Sequence, residues 1–377
     1  MQLSCLQENL SKGLAVVGRA VATRTTLPIT QNILMATDGS RLRLSATNLE
    51  IAITTWLGAM VEEEGTITVP ARLLTDFTSS LPAERIEVSA TARPRALLLK
   101  CARFEARMNG TDAEEFPPIP TVQEGLAATI DPQVLRTAIG QVAFAAATEE
   151  SRPVLTGVKV ELEEDRFTFA AADGFRLAVH RGQLASAVSE PVDFIVPART
   201  LQELNRLLAE QEEPVELMAT PARSQVLFRL QNVEMVSQLI QGTFPNYQQL
   251  IPQSYTTRVV VDGQEFQRAA RTAAIFARDG SGIVRLQATP GPEGTSGRLV
   301  VSSRAEELGE DQAEVDAKVE GEETKIAFNS KYLLDVLGVM ERGEVVLETS
   351  SPSSPGVFRL PDSEVYVHVV MPMFVQW

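Results

Sequence analysis

The chain has 377 residues, 44% hydrophobic and 22% charged, with a formal net charge of −15. The length suggests two or three domains at roughly 150 residues each, and the composition is that of a soluble globular protein. The acidic balance argues against a strongly phosphate-binding surface, no apolar run reaches the roughly 18 residues of a bilayer span, and two cysteines with two distant histidines make neither a disulfide framework nor a zinc site.

In chain order, the start "MQLSCLQENLSKGL" lacks the basic, apolar and small-residue pattern of a signal peptide, so a cytoplasmic protein is expected. A first helix follows over 6–21. At about 100° per residue, Leu10, Leu14, Val17 and Val21 form one stripe, and Lys12 and Arg19 lie opposite. "ITVPARLLTDFTSSL" from Ile67 reads as a strand and then a helix, with Leu74, Phe77 and Leu81 inward and Arg72, Asp76 and Ser79 outward. "CARFEARMNG" (101–110) alternates like an edge strand, and a proline-rich joint follows at 116–120. A helix over 131–147 carries Arg136 on its flank. "FIVPARTLQELNRLL" from Phe194 repeats the strand-then-helix shape, with Leu201, Leu204 and Leu208 inward and Arg199, Gln202 and Arg206 outward. A second joint spans 245–252. The helix over 261–277 turns Phe266, Ala269 and Ala273 inward and Arg268 and Arg271 outward; Ile275 also falls on its outer half. The segment 304–324 is dominated by acids and reads as an exposed loop and strand. "KIAFNSKYLLDVLGVM" (325–340) again reads as a strand and then a helix, the last one, with Leu333, Leu337 and Met340 inward and Lys331 outward. The chain then ends on the apolar "YVHVVMPMFVQW", which is either buried or there to be touched.

These segments repeat. Pro70 in Val-Pro-Ala-Arg recurs as Pro197, Asn48 in "SATNLEIAI" as Asp173 in "AAADGFRLAV", and Phe116 in "EFPPIP" as Phe244 in "TFPNYQQLIP". The third stretch is more diverged but keeps the strand-then-helix shape. The expectation is three copies of one domain, at 1–124, 125–252 and 253–377, each with two helices and many short β-runs. The fold class is α+β with antiparallel sheets. Basic residues gather on helices and acids on loops and strands, a segregation that plain solvated surface also explains.

The ordered set "RTTLPITQNILM" (24–35), "TVPAR" (68–72), "AADGFRLAV" (171–179), "FPNYQQLIP" (244–252), "FNSKYLLDVL" (328–337) and "VVMPM" (369–373) resembles the bacterial β sliding clamp family, the processivity subunit β of DNA polymerase III. The resemblance covers essentially the whole chain. It implies two subunits paired head-to-tail into a ring of six domains, with helices lining a hole that duplex DNA threads without sequence preference. It implies a non-catalytic tether for the replicative polymerase, the clamp loader and repair proteins, with no cofactor. The DNA-facing candidates are Lys12, Arg19, Arg24, Arg72, Arg152, Arg199, Arg206, Arg268, Arg271 and Lys331. Partner peptides are implied to dock at Leu155, Ala172, Gly174, Phe175, Arg176, Leu177, Pro245, Leu250, Val369, Val370, Met371, Pro372 and Met373. Ring closure is assigned to Arg103, Phe104, Arg107 and Met108 of one subunit against Ile275 and Phe276 of the other. Arg103 and Arg107 would meet acids such as Glu306 or Glu307.

The chain departs from the family at three places. Pro153 and Val154 stand where many relatives carry aromatic residues, Phe175 where some carry histidine, and the tail continues past Met373 to Trp377, which is expected over the cleft or the adjacent surface. A catalytic reading finds only Asp173, Arg176 and His180, in one turn and strand. An Asp-Gly turn explains the first two more simply, and alternation sends Asp173 and His180 to opposite sides. No GxxxxGK[ST] loop is present. The remaining rival is a non-catalytic peptide-binding scaffold that never encircles DNA.

Overall fold

The computed structural model describes residues 1–377 apart from 150, 279–280, 293–295, 306, 308 and 341–342. The first third holds β1 (Gln2–Leu6), α1 (Gln7–Val17), β2 (Asn32–Asp38), β3 (Arg41–Thr47), β4 (Ile51–Gly58), β5 (Met60–Glu63), β6 (Thr66–Pro70), α2 (Ala71–Ser80), β7 (Arg85–Ala92), β8 (Arg95–Cys101) and β9 (Phe104–Asn109). The middle third holds β10 (Leu126–Ile130), α3 (Pro132–Val142), β11 (Gly157–Glu163), β12 (Arg166–Ala172), β13 (Arg176–Gln183), β14 (Val192–Pro197), α4 (Ala198–Leu207), β15 (Val215–Ala219), β16 (Gln225–Arg229) and β17 (Val233–Gln238). The last third holds β18 (Thr257–Asp262), α5 (Gly263–Arg278), β19 (Ile283–Thr289), β20 (Gly297–Ala305), β21 (Gly309–Gly321), β22 (Thr324–Asn329), α6 (Ser330–Val339), β23 (Glu344–Thr349), β24 (Gly356–Arg359) and β25 (Tyr366–Val370). All the strand pairs among the described residues are antiparallel, as alternating short strands with close turns require.

The chain gathers into two compact units. One comprises residues 1–133, 185–189 and 203–239, and holds a five-stranded sheet, β5-β1-β7-β8-β9, and an eight-stranded sheet, β10-β15-β16-β17-β4-β3-β2-β6. The other comprises 134–184, 190–202 and 240–377, and holds a twelve-stranded sheet, β14-β11-β12-β13-β25-β24-β23-β18-β21-β20-β19-β22. The middle repeat thus divides its strands between the two units.

One pairing rule recurs. The last strand of the middle repeat, β17, adds to the hairpin strand β4 of the first, with Met235 opposite Ile53. The last strand of the third, β25, adds to β13 of the middle repeat, with Leu177 opposite Val369. Among the described residues the last strand of the first repeat, β9, is a sheet edge. The matching hairpin strand of the third repeat, β21, pairs with β20 over Gly309–Ala317 and with β18 over Thr257–Val261 against Ala317–Gly321. Residues 309–316 therefore have a strand on one side only among the described residues.

The repeat extends to turn chemistry. Asn48 Oδ1 accepts from the backbone N–H groups of Glu50 (3.0 Å) and Ile51 (2.9 Å) between β3 and β4. Asp173 Oδ1 accepts from those of Phe175 (2.9 Å) and Arg176 (3.0 Å) between β12 and β13. The residue after each side-chain cap is left-handed, Leu49 at φ 78° and Gly174 at φ 95°. Glycine enters that region without steric penalty, whereas leucine is strained there.

The helices bury the faces that the spacing predicts. Leu10, Leu14 and Val17 on α1, Leu201 and Leu204 on α4, Phe266, Ala269 and Ala273 on α5, and Leu333 and Leu337 on α6 are buried. Two details differ. Val21 lies past the end of α1 and is half-buried, and Thr78 fills the inner face of α2 while Phe77 is only half-buried.

Two histidines are buried, one on β13 and one on β25. His180 Nδ1 lies 2.7 Å from Gln141 Oε1, and His368 Nδ1 lies 3.0 Å from the Tyr366 hydroxyl. Burial pushes His180 from 6.5 down to about 4 and His368 from 6.5 down to about 3. The unfolded chain then binds more protons than the folded one between those values and 6.5. The stability these neutral rings contribute is full above pH 6.5 and falls as the pH drops toward 4. We expect thermal midpoints of the full chain to fall through that window, with a slope on the order of 1.4 kcal/mol per pH unit for each histidine. Replacing His368 with glutamine should flatten the profile, and an unchanged slope would contradict this origin.

Candidate functional site

The sequence Asp173-Gly174-Phe175-Arg176 builds the centre of the candidate cleft. The side-chain cap of Asp173 fixes the turn, and Gly174 supplies its left-handed backbone. The turn leaves the Phe175 ring 58% exposed and sends Arg176 inward, to 7% exposure. A buried guanidinium needs paired charge and a partner for each nitrogen. Arg176 has both: Nε donates to Asp173 Oδ2 at 3.0 Å, one terminal nitrogen to Asp335 Oδ2 at 2.6 Å, and the other to the Phe144 carbonyl at 2.8 Å. Its planar face stacks over Tyr332 (4.5 Å to the ring centroid) and Phe144 (5.3 Å). Phe175 in turn lies against Tyr332, centroids 6.4 Å apart and rings 23° from parallel. One arginine therefore fastens the β12–β13 turn to α6.

Beneath the turn lies an apolar core. Ala172, Leu177 and Val369 share it with Phe244, Tyr247 and Ile251, and the half-buried Val154 and Leu155 pack against it. The loop over 244–251 is fixed by what it buries. Phe244, Tyr247 and Ile251 point in, and the Tyr247 hydroxyl donates to Glu161 Oε2 at 2.5 Å. Burial, reinforced by that carboxylate, pushes the phenol pKa well up, so the hydroxyl stays a donor. The residues between the anchors, Pro245 and Leu250, are left exposed. The third wall is β25 and the segment that follows it. Val369 and Val370 are buried in β25, and Met371 N–H then donates to the Phe175 carbonyl at 2.8 Å. Met371 and Met373 are exposed at 45% and 36%.

The residues assigned to the cleft differ in exposure. Ala172, Arg176, Leu177, Val369 and Val370 are buried, Leu155 and Pro372 are half-buried, and Gly174, Phe175, Pro245, Leu250, Met371 and Met373 are exposed. Exposed flexible thioethers beside an aromatic ring make an adaptable apolar surface. Sequence reasoning missed the residues that hold this surface in place: Asp335, Tyr332, Phe144 and Glu161. The only available signal was the arginine itself, which needs counter-charges wherever it is buried. Trp377 lies with its ring 5.9 Å from the Arg285 guanidinium carbon and 5.7 Å from Lys325 Nζ, on the surface of β19 and β22.

The basic candidates are exposed. Lys12 and Arg72 stand on α1 and α2, Arg199 and Arg206 on α4, and Lys331 at the start of α6, while Arg24 is in a loop. Arg19 and Arg206 share one carboxylate, Glu203, at 3.1 and 2.5 Å. Arg72 is paired with Asp76 at 3.7 Å. Arg268 and Arg271 line a groove of about 400 Å³ on α5 with Gln264, Gln267, Thr272 and Ile275. Arg152 stands apart from the helix set. It packs on the β12–β13 turn, its terminal nitrogen 3.3 Å from the Asp173 carbonyl.

For the proposed subunit contact, Arg103 and Arg107 are exposed on and beside β9, and Phe104 and Ile275 are 52% and 58% exposed. Phe276 is half-buried. Met108 departs from expectation. It pairs with Leu97 across the β8–β9 ladder, both face the core, and Met108 is 2% exposed, so it is not a surface contact. Glu307 is exposed, and Glu306 lies outside the described residues.

Three domain families match the chain in order: DNA polymerase III beta subunit N-terminal domain over residues 1–120, central domain over 129–246 and C-terminal domain over 248–374. A beta sliding clamp from Synechococcus elongatus is 32% identical, with 99% of both chains covered. The crystal structure of a DNA polymerase sliding clamp from Bacillus subtilis superposes with a TM-score of 0.93 at 29% identity, over 100% of both chains. A sliding clamp (DNA polymerase III subunit beta) from Pseudomonas aeruginosa, bound to griselimycin, superposes with a TM-score of 0.91 at 30% identity, again over 100% of both chains.

Removing Arg176 strands two carboxylates. Arg176→Met is expected to destabilise the turn and its sheet by about 3 kcal/mol, seen as a lowered thermal midpoint. Asp335→Asn, at a partly exposed partner, should cost less. Equal midpoints for Arg176→Met and the unsubstituted chain would show that the network holds nothing together.

Proposed function

The chain belongs to the DNA polymerase III beta subunit family, the beta sliding clamps, and on that premise we propose how its own residues close a ring, hold DNA and receive partners. It is a processivity factor, not an enzyme: its role is to encircle duplex DNA and tether a polymerase to it. The proposed domain limits are 1–124, 125–252 and 253–377.

Ring closure follows from the strand rule. Within one chain, β17 extends the sheet at β4, and β25 extends it at β13. The remaining donor edge is β9 and the remaining acceptor edge is residues 309–316. Two copies joined head-to-tail pair each β9 with the other's β21, which closes the ring and satisfies both edges. Arg103 and Arg107 supply positive charge to an acceptor strand that carries Glu310, Asp311 and Glu314. Phe104 packs toward Ile275 and Phe276.

Retention on DNA comes from enclosure. Each neutralised phosphate adds a salt-dependent increment of affinity, so a lining that must slide needs few of them. Arg19 and Arg206 share Glu203, and Arg72 has Asp76, which tempers the attraction of these cations for phosphate. Phosphate contacts carry no base information, so no sequence preference is expected. Short apolar peptides of the polymerase, the loader and repair proteins dock against Phe175, Leu250, Met371 and Met373. Among the described residues no helix is long and apolar enough to cross a membrane, and we assign the protein to the cytoplasm, with the replication machinery.

The observation that carries this reading is the match of three successive beta-subunit domains along the whole chain. The test loads the protein onto nicked circular duplex with a clamp loader and then cuts the circle. Full retention before cutting and loss afterwards are expected. The double substitution R199E/R206E should load less, by severalfold, and bind griselimycin as before, since we infer that this ligand of the Pseudomonas aeruginosa clamp occupies the cleft. Equal retention on cut and uncut DNA, or loading indifferent to both charge reversals, would favour a scaffold that does not encircle DNA.

A further inference from the structure

The tail past Met373 has an anchor of its own, and this inference rests on the reading of the cleft as a ligand site. β22 ends the twelve-stranded sheet, so one of its edges has no strand beside it among the described residues. The tail lies on that edge. Met373 N–H donates to the Ala327 carbonyl at 2.7 Å. Trp377 then reaches Lys325, two residues back along β22, and Arg285 on the neighbouring β19, which is the register partner of Ala327. The tail therefore runs antiparallel to β22. Its upstream end is tied to the cleft by Met371 N–H on the Phe175 carbonyl.

Residues 371–377 form neither helix nor strand, and such a segment frays unless something ties it down. Here a backbone bond holds the middle of the segment and two cations beside an indole hold its end. Between those two points Phe374 is 94% exposed, so packing of Phe374 does not hold the segment against β22. We propose that Trp377 is a positioning residue: its contact with Arg285 and Lys325 stretches the tail along β22 and so sets the Met371–Phe374 wall of the cleft before a ligand arrives. A loose wall would have to be ordered during binding, and a wall already held avoids that entropy loss.

The test uses the full chain with griselimycin as probe, by titration calorimetry and tryptophan fluorescence. The sequence has two tryptophans, so Trp56→Phe leaves Trp377 as the sole emitter. Griselimycin should shift or quench that emission. Trp377→Ala, and separately R285Q/K325Q, should weaken griselimycin binding by about three- to tenfold, the loss expected for exposed cation–π contacts, with thermal midpoints unchanged. Undiminished affinity in Trp377→Ala overturns the proposal. Weakened affinity with a silent Trp377 emission overturns it too, because the tail would then not respond to the ligand. Failure of the unsubstituted chain to bind griselimycin would instead remove the cleft reading, and this proposal with it.

Discussion

An unpaired strand edge is what this fold has to resolve. A row of free N–H and C=O groups at a sheet edge invites another strand. Each repeat has a last strand that donates an edge and a hairpin strand that accepts one. Inside the chain, β17 with β4 and β25 with β13 use up two of each. Three repeats in a row always leave one donor at the start and one acceptor at the end. Such head-to-tail surfaces give either an open filament or a closed ring, and membership of a ring-forming clamp family selects the ring.

The same logic accounts for the acidic chain. If closure holds DNA, affinity need not. The net charge of −15 sits with exposed arginines and lysines on helix surfaces, of which Arg19, Arg72 and Arg206 are already paired with a carboxylate. The proposed cleft uses charge in the opposite way. Arg176 is withdrawn from solvent and fully paired, so it serves as a fastener between the β12–β13 turn and α6. That leaves the exposed cleft surface to Phe175, Leu250 and the two methionines.

Much of this is legible in the sequence, for physical reasons. Helix faces follow from a fixed period, so the inward sets on α1, α4, α5 and α6 are readable directly. The Asn48 and Asp173 correspondence is readable because short polar side chains cap turns in a recognisable way, and both caps form in the structure. Less is legible where partners are distant in sequence. Arg176 and Asp335 are 159 residues apart, and nothing local marks Asp335 as its partner. Pattern alone misplaces Met108 because an alternating strand shows two faces without saying which is inside; its pairing with Leu97 decides that. Resemblance places Arg152 among the DNA-facing candidates, and only the structure shows that it packs on the left-handed Gly174 turn.

Sedimentation equilibrium of the purified chain and of R103E/R107E probes the edge pairing most directly. The unsubstituted chain should have a mass of twice 41.1 kDa, because β9 and the 309–316 edge find each other in a second copy. The double charge reversal should have a single-chain mass at the same concentration. A lone 41.1 kDa species for the unsubstituted chain, or an unaltered dimer after both reversals, would contradict closure through these edges.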